Sequence, residues 1–221
     1  TTLIRRMLNE GAVLLGKTKN SNFKNLSLTS TIKNPHNHNF SAGLTAASSA
    51  VSVSTGIVPI SIASQTNTTL ITNAAYCGVY GYIPSRKLFP LTGLKTISPS
   101  FDNIGFFSRD IEGLALVAEI VNGDDGIDIY SEGVKKKKFT SLIYKKNNLY
   151  IPQVLLVKNS EFDDLSKKTL KIYESIIKEL NGVITEIELP KEIESIDEEF
   201  ERIYFSELSF YAESDFNSQK N

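Results

Sequence analysis

The chain has 221 residues, with 24 basic and 25 acidic side chains for a formal charge of −1, 41% hydrophobic residues, two His, no Trp and a single Cys. That balance supplies no field to hold a nucleic acid or an anionic membrane, and a lone Cys excludes an intramolecular disulfide framework. No run approaches the ~18 apolar residues of a membrane span and Thr1 to Arg6 lacks a signal-peptide core, so a reducing, cytoplasmic setting is expected.

Thr2 to Glu10 is expected to end an amphipathic helix closed by Gly11, with Ala12 to Gly16 following as a short buried strand, an α/β arrangement. Residues 18–43 are rich in Asn, Ser, Thr and Lys and turn at Asn34-Pro35, so they read as a long polar connection. Thr45 to Thr55 is almost all Ala, Ser, Thr and Val, which predicts a closely packed buried helix, with a strand as the alternative that its β-branched content leaves open. Ile57 to Ala63 and Cys77 to Tyr82 read as apolar strands, and composition alone makes the polar run Ser64 to Asn73 between them a solvated loop. Ser108 is the expected N-cap of a helix carrying Ile111, Leu114, Val117, Ala118 and Val121 and stopped by Gly123.

Asp124, Asp125 and Asp128 and then Lys135 to Lys138, Lys145 and Lys146 fall in separate charge blocks, which favours a solvated excursion over 124–148 rather than a phosphate patch. Val154 to Val157 and Val183 to Leu189 read as strands flanking a helix from Asp163 to Leu180, with Leu165, Ile172, Ile176 and Leu180 on one face. Such a strand–helix–strand unit is parallel and right-handed by default. Ser195 and Glu198 form a capping box for a last helix with Ile196, Phe200, Ile203 and Tyr204 as its apolar face, ahead of a polar tail.

Gly11 to Thr18 satisfies the phosphate-loop pattern G-x-x-x-x-G-K-[ST]. Its middle residues are apolar, no strand precedes Gly11, and the polar residues after Lys17-Thr18 offer no helix N-terminus to an anion. Nucleotide binding is therefore rejected, and Lys17 is taken as a polar residue at a strand exit.

Gln65-Thr66-Asn67-Thr68-Thr69-Leu70-Ile71-Thr72-Asn73-Ala74-Ala75-Tyr76-Cys77-Gly78-Val79-Tyr80-Gly81 resembles the signature of the amidase signature family, in one branch T-Q-T-N-G-S-V-I-R-P-A-A-Y-C-G-V-x-G. Leu3 to Thr18 is similar to its V-x-x-L-R-x-A-G-A-V-L-L-G-K-T, Pro84-Ser85 and Pro90 to Lys95 to its K-P-S and P-x-T-G-x-K, and Ser98 to Arg109 to its S-P-S-L-D-T-I-G-x-x-A-R. The likeness covers residues 3 to about 123 and extends in layout to the end, with residues 149–215 as a strand-helix-strand-helix unit. It implies an α/β fold, a mixed sheet with helices on both faces, present in part.

Members of the family hydrolyse carboxamides with a Ser nucleophile, a second Ser whose peptide bond is cis, and a Lys base, because a hydroxyl is a weak nucleophile until a neighbour takes its proton. Carried over by position, the resemblance puts the nucleophile at Thr69, the cis-Ser at Thr45, and the oxyanion turn at Thr66, Asn67 and Thr68. It implies a small-molecule amide substrate and no cofactor or metal.

The chain departs from the pattern in several places. Both hydroxyl positions are Thr, whose extra methyl restricts χ1 and crowds the attack. The Gly/Ser loop reads Gly43-Leu44-Thr45-Ala46-Ala47-Ser48-Ser49, Thr68 replaces a Gly, and Thr72 and Asn73 replace an Arg and a Pro. The family's Lys lies upstream of the opening helix. The chain does not begin with Met, so it is expected to be a piece of something longer, with that Lys outside it. Cys77 is expected to be a buried structural thiol rather than a nucleophile, and His36 and His38 to be loop residues rather than metal ligands. Asp102 is expected to fix a turn. Two functions stand side by side: an impaired amidase, and an inactive amidase-like protein or gene fragment with an accessory role. Open sheet edges predict self-association.

Overall fold

Helix α1 (Thr2–Asn9) begins at Thr1, whose side chain accepts the Ile4 N–H, and its exit turns through Gly11 at φ +86°. The structure, a computed structural model, describes residues 1–19, 32–66, 68–143, 153–158, 162, 164–180, 182–190, 193 and 196–218. The chain divides into two units, Thr1–Lys145 with Glu207–Asn221, and Lys146–Ser206.

The first unit is built on a three-stranded antiparallel sheet of order β1-β3-β2, from β1 (Ile60–Gln65), β2 (Tyr80–Tyr82) and β3 (Asn103–Ser108). The register runs from Ile60↔Ser108 to Gln65↔Asn103 on one side of β3 and from Tyr80↔Ser108 to Tyr82↔Phe106 on the other. Alternation along β3 sends Ile104 and Phe106 to one face and Phe107 to the other, because successive side chains of a strand point to opposite sides. Helices α2 (Ala47–Ser54) and α3 (Thr69–Cys77) cover the Phe107 face. Helices α1 and α4 (Ile111–Val121) cover the Phe106 face through Leu3, Leu114, Val117 and Val121. Each fully buried Phe removes enough apolar surface to contribute about 1.5–3 kcal/mol.

Small residues bring α3 onto the sheet. A Cβ on Gly105 would lie 2.2 Å from the Tyr82 carbonyl and 2.9 Å from Leu70, and one on Gly81 would lie 2.8 Å from Ala74. The Ala and Ser content of α2 works the same way against α3. Arg109, the last residue of the S-P-S motif, reaches back to donate to the Val53 and Val58 carbonyls at 2.8 and 3.0 Å, tying off the end of α2.

In the second unit β4 (Val154–Lys158) and β5 (Ile184–Glu188) pair in parallel, joined through α6 (Lys167–Glu179), as expected for a crossover unit. Helix α5 (Thr140–Ile143) precedes it and helix α7 (Ile196–Ser218) follows. The class is α/β with only part of a core.

Several expectations are corrected. Ala12 to Gly16 is not a buried strand: it pairs with no described strand, the Ala12 N–H turns back to the Met7 carbonyl at 3.0 Å, and Val13, Leu14 and Leu15 are exposed at 89, 58 and 68%. Cys77 closes α3 instead of opening a strand, and Ser64 to Asn73 is the end of β1 and the start of α3 rather than a loop. Tertiary packing on the sheet overrides its polar composition. Ser108 stays in β3, and Asp110 caps α4 through the Gly113 N–H at 2.6 Å. On α6 the half-buried face is Leu170, Tyr173, Ile177 and Leu180, whereas Ile172 and Ile176 are exposed.

The start of the expected excursion is packed. Arg6 donates to the carbonyls of Val121, Asn122, Gly123 and Asp124 at 2.6–2.9 Å. Asp125 accepts from Thr2 at 2.6 Å, Asp128 from the Leu91 N–H at 2.8 Å, and Val134 and Phe139 join the core. The capping box at Ser195 and the loop over 20–31 lie outside the described residues.

Candidate active site

Strand β1 ends at Gln65 and α3 begins at Thr69, so Thr69 is the first residue of a helix that starts at the sheet's edge. The Gln65 side chain accepts the Leu70 N–H at 2.9 Å and replaces the cap that Thr68 does not provide. Thr66 donates to Asp102 Oδ1 at 2.8 Å, while Asp102 Oδ2 accepts the Ile97 and Ser98 N–H groups at 2.8 and 3.0 Å. Asp102 thus fixes its turn, as its place in the S-P-S motif implies, and also anchors the turn that leads to Thr69. Glu207 accepts from the Ser98 and Ser100 hydroxyls and from the Ser100 N–H at 3.1 Å, bracing that motif from below.

Thr45 lies in the turn before α2 and is half-buried, as is Thr69. Gly43 has φ +113°, a region open to glycine, and a Cβ there would fall 1.9 Å from Asn73 Oδ1. That bare Cα lets the Asn73 amide reach the Leu44 N–H, which it accepts at 2.6 Å. Asn73 is four residues after Thr69, on the same face of α3, and its bonded partner adjoins Thr45. The structure therefore brings the Thr45 turn against the Thr69 face of α3.

Asn73 is fully buried, and its Nδ2 has no partner among the described residues. An unsatisfied buried donor costs about 1–3 kcal/mol. The sequence shows this position only as a lost Pro; an amide in an otherwise small and apolar stretch was the available signal. All described peptide bonds are trans, Thr45's among them, where the resemblance implied cis.

Among the described residues no basic side chain is hydrogen-bonded to Thr45 or Thr69, and no group of three His, Cys, Asp or Glu could hold a metal. The N-terminus of α3 brings the positive end of the helix dipole to Thr69, with the Leu70 N–H taken by Gln65. Asn67 lies outside the described residues.

The remaining candidates are structural. Cys77 is buried, burial pushes its thiol up to about 11, and its Sγ contacts the Ala42 carbonyl at 3.4 Å. The Cys77 carbonyl is held by His36 Nε2 at 2.8 Å and by Ser54 Oγ at 2.6 Å, and Asn34 donates to the Tyr76 carbonyl at 2.8 Å. His36 therefore secures the end of α3. Lys17 is exposed; the neighbouring Thr18 hydroxyl meets Ser49 at 2.9 Å, and Ser48 donates to the Lys19 carbonyl. A helix, not a strand, precedes Gly11, in keeping with the rejected phosphate loop.

A family model described as Amidase matches residues 1–220. The chain is 31% identical over 198 residues to a glutamyl-tRNA(Gln) amidotransferase subunit of Staphylococcus aureus, with the alignment covering 86% of this chain and 40% of that one. Among solved structures it resembles the native peptide amidase of Stenotrophomonas maltophilia, with a TM-score of 0.76 at 22% identity over 96% of this chain and 47% of that one. It also resembles the corresponding glutamyl-tRNA(Gln) amidotransferase subunit of Thermotoga maritima, with a TM-score of 0.78 at 23% identity over 94% of this chain and 47% of that one. The chain thus spans less than half the length of these relatives.

Proposed function

The chain belongs to the amidase family, and from that premise we propose that it takes part in hydrolysing the C–N bond of a small carboxamide, with Thr69 as nucleophile and Thr45 as proton relay. Thr69 Oγ1 bonds to the amide carbonyl carbon while its proton passes through Thr45 to a base. Family resemblance makes that base a Lys outside this sequence. The oxyanion meets the N–H groups of the Thr66, Asn67 and Thr68 turn and of the α3 N-terminus. Collapse breaks the C–N bond, the base's proton goes to the leaving nitrogen, and water cleaves the acyl ester.

The observation that carries this reading is the 2.6 Å bond from the Leu44 N–H to Asn73, which joins the Thr45 turn to the Thr69 face of α3. The test is mass spectrometry of the full natural protein incubated with an activated carboxamide. An acyl adduct on Thr69 is expected, with hydrolysis lost by ~10³-fold or more in Thr69→Ala and raised in Thr69→Ser, which drops the crowding methyl. Activity indifferent to Thr69→Ala would favour the accessory role instead.

A relative named as part of an amidotransferase supports action alongside another chain. The exposed run Val13 to Leu15 supports self-association of the isolated chain, and sedimentation velocity should then show species above 24.5 kDa. A buried reduced Cys77 is compatible with a reducing cytoplasm, and among the described residues no helix is long and apolar enough to cross a membrane.

A further inference from the structure

Asn73 stands where the family pattern has Pro, a residue with no side-chain acceptor, so its bond to the Leu44 N–H is a feature of this chain. The side chain is fully buried and satisfied at one end only: Oδ1 accepts at 2.6 Å while Nδ2 has no partner among the described residues. A residue kept only for packing would be replaced without loss by an apolar side chain of similar shape, which carries no orphan donor. The surroundings are shaped for the amide, since Gly43 gives up its Cβ, at φ +113°, in the space that Oδ1 occupies. Thr45 is the residue after the bonded Leu44.

We infer that Asn73 is a positioning residue: its carboxamide oxygen holds the Leu44 N–H and thereby sets where the Thr45 hydroxyl stands relative to Thr69. This rests on the proposed roles of Thr45 and Thr69. A relay works only within hydrogen-bond reach, and displacement by about 1 Å costs on the order of 10²-fold in rate. Asn73 itself is fully buried.

The experiment compares Asn73→Leu and Asn73→Asp with the unaltered full natural protein, reading melting temperature, hydrogen exchange at the Leu44 amide, and kcat and KM for a simple carboxamide. Asn73→Leu deletes the acceptor and the orphan donor together. It leaves the N–H of half-exposed Leu44 to water, so the melting temperature should change by no more than a few degrees, while Leu44 exchange speeds at least ~10-fold and kcat falls by ~10-fold or more with KM nearly unchanged. Asn73→Asp keeps an acceptor oxygen and should recover Leu44 protection and much of kcat. Unchanged Leu44 exchange in Asn73→Leu overturns the inference, as does unchanged kcat in a protein that Thr69→Ala inactivates. A fall in melting temperature matched by equal losses in both variants also overturns it, since packing alone would then suffice. If Thr69→Ala changes nothing, the catalytic reading fails, while faster Leu44 exchange in Asn73→Leu still shows that the amide holds the turn.

Discussion

Burial pushes the Cys77 thiol up to about 11 and its Sγ faces the Ala42 carbonyl, so little thiolate exists at neutral pH. Iodoacetamide at pH 8 should leave the folded protein unlabelled and label it fully in urea; rapid labelling of the native state would contradict this burial. Gly43 is the other residue whose role is decided by its surroundings. Gly43→Ala meets both a positive φ and the Asn73 oxygen, and should cost about 1–3 kcal/mol in urea denaturation. Asp102 was readable as a turn residue from its S-P-S-F-D-N setting. Its second bond, to Thr66, was not, because 36 residues separate the partners and only the pairing of β1 with β3 brings them together.

Among the elements, α4 shows how ends are held. Asp110 caps its start through the Gly113 N–H, and Asp110→Ala should cost about 1 kcal/mol. Its end depends on Arg6, whose guanidinium takes four successive carbonyls. Arg6→Ala leaves those acceptors without their charged donor and should cost about 2–3 kcal/mol by chemical denaturation, with Arg6→Lys restoring only part, since an ammonium lacks the fork. A loss below a few tenths of a kcal/mol would mean that water serves those carbonyls equally well. Helical spacing found α4 and α6, but of the face it chose on α6, Leu165, Ile172, Ile176 and Leu180, only Leu165 and Leu180 are half-buried. The half-buried face carries Leu170, Tyr173 and Ile177, because the apolar residues at 170, 172, 173, 176 and 177 span an arc wider than the stripe that is covered.

In the first unit, Glu119, Asp124, Asp125 and Glu207 are held chiefly by hydrogen-bond donors, with Lys138 beside Glu119 and Arg86 beside Glu207 adding to the effect. The Thr140 hydroxyl and N–H keep Glu119 below its usual 4.5, and the Gly126 and Gly133 N–H groups keep Asp124 below 3.8. At Asp125 and Glu207 burial pulls upward but is outweighed: the Asp128 N–H and the Thr2 hydroxyl lower the first, and Ser100 and Ser98 lower the second. A depressed carboxyl contributes stability that is present above its unfolded value and lost as pH falls through its folded value. The melting temperature should therefore hold from pH 7 to about 5.5 and drop progressively below about 4.5. A flat profile down to pH 3 would show that these donors do not favour the charged forms.

The sequence by itself determined the family, the α/β class and the order of most helices and strands. Those follow from local spacing and from a signature whose residues are contiguous along the chain. Tertiary structure alone decided that Ser64 to Asn73 holds the end of a strand and the start of a helix, that Ala12 to Gly16 pairs with no described strand, and that Asn73 reaches the Leu44 N–H. The physical reason is the same in each case: a strand needs a neighbour, a polar helix needs a sheet to cover, and a buried amide needs a distant backbone group, none of which lies within a few residues along the chain.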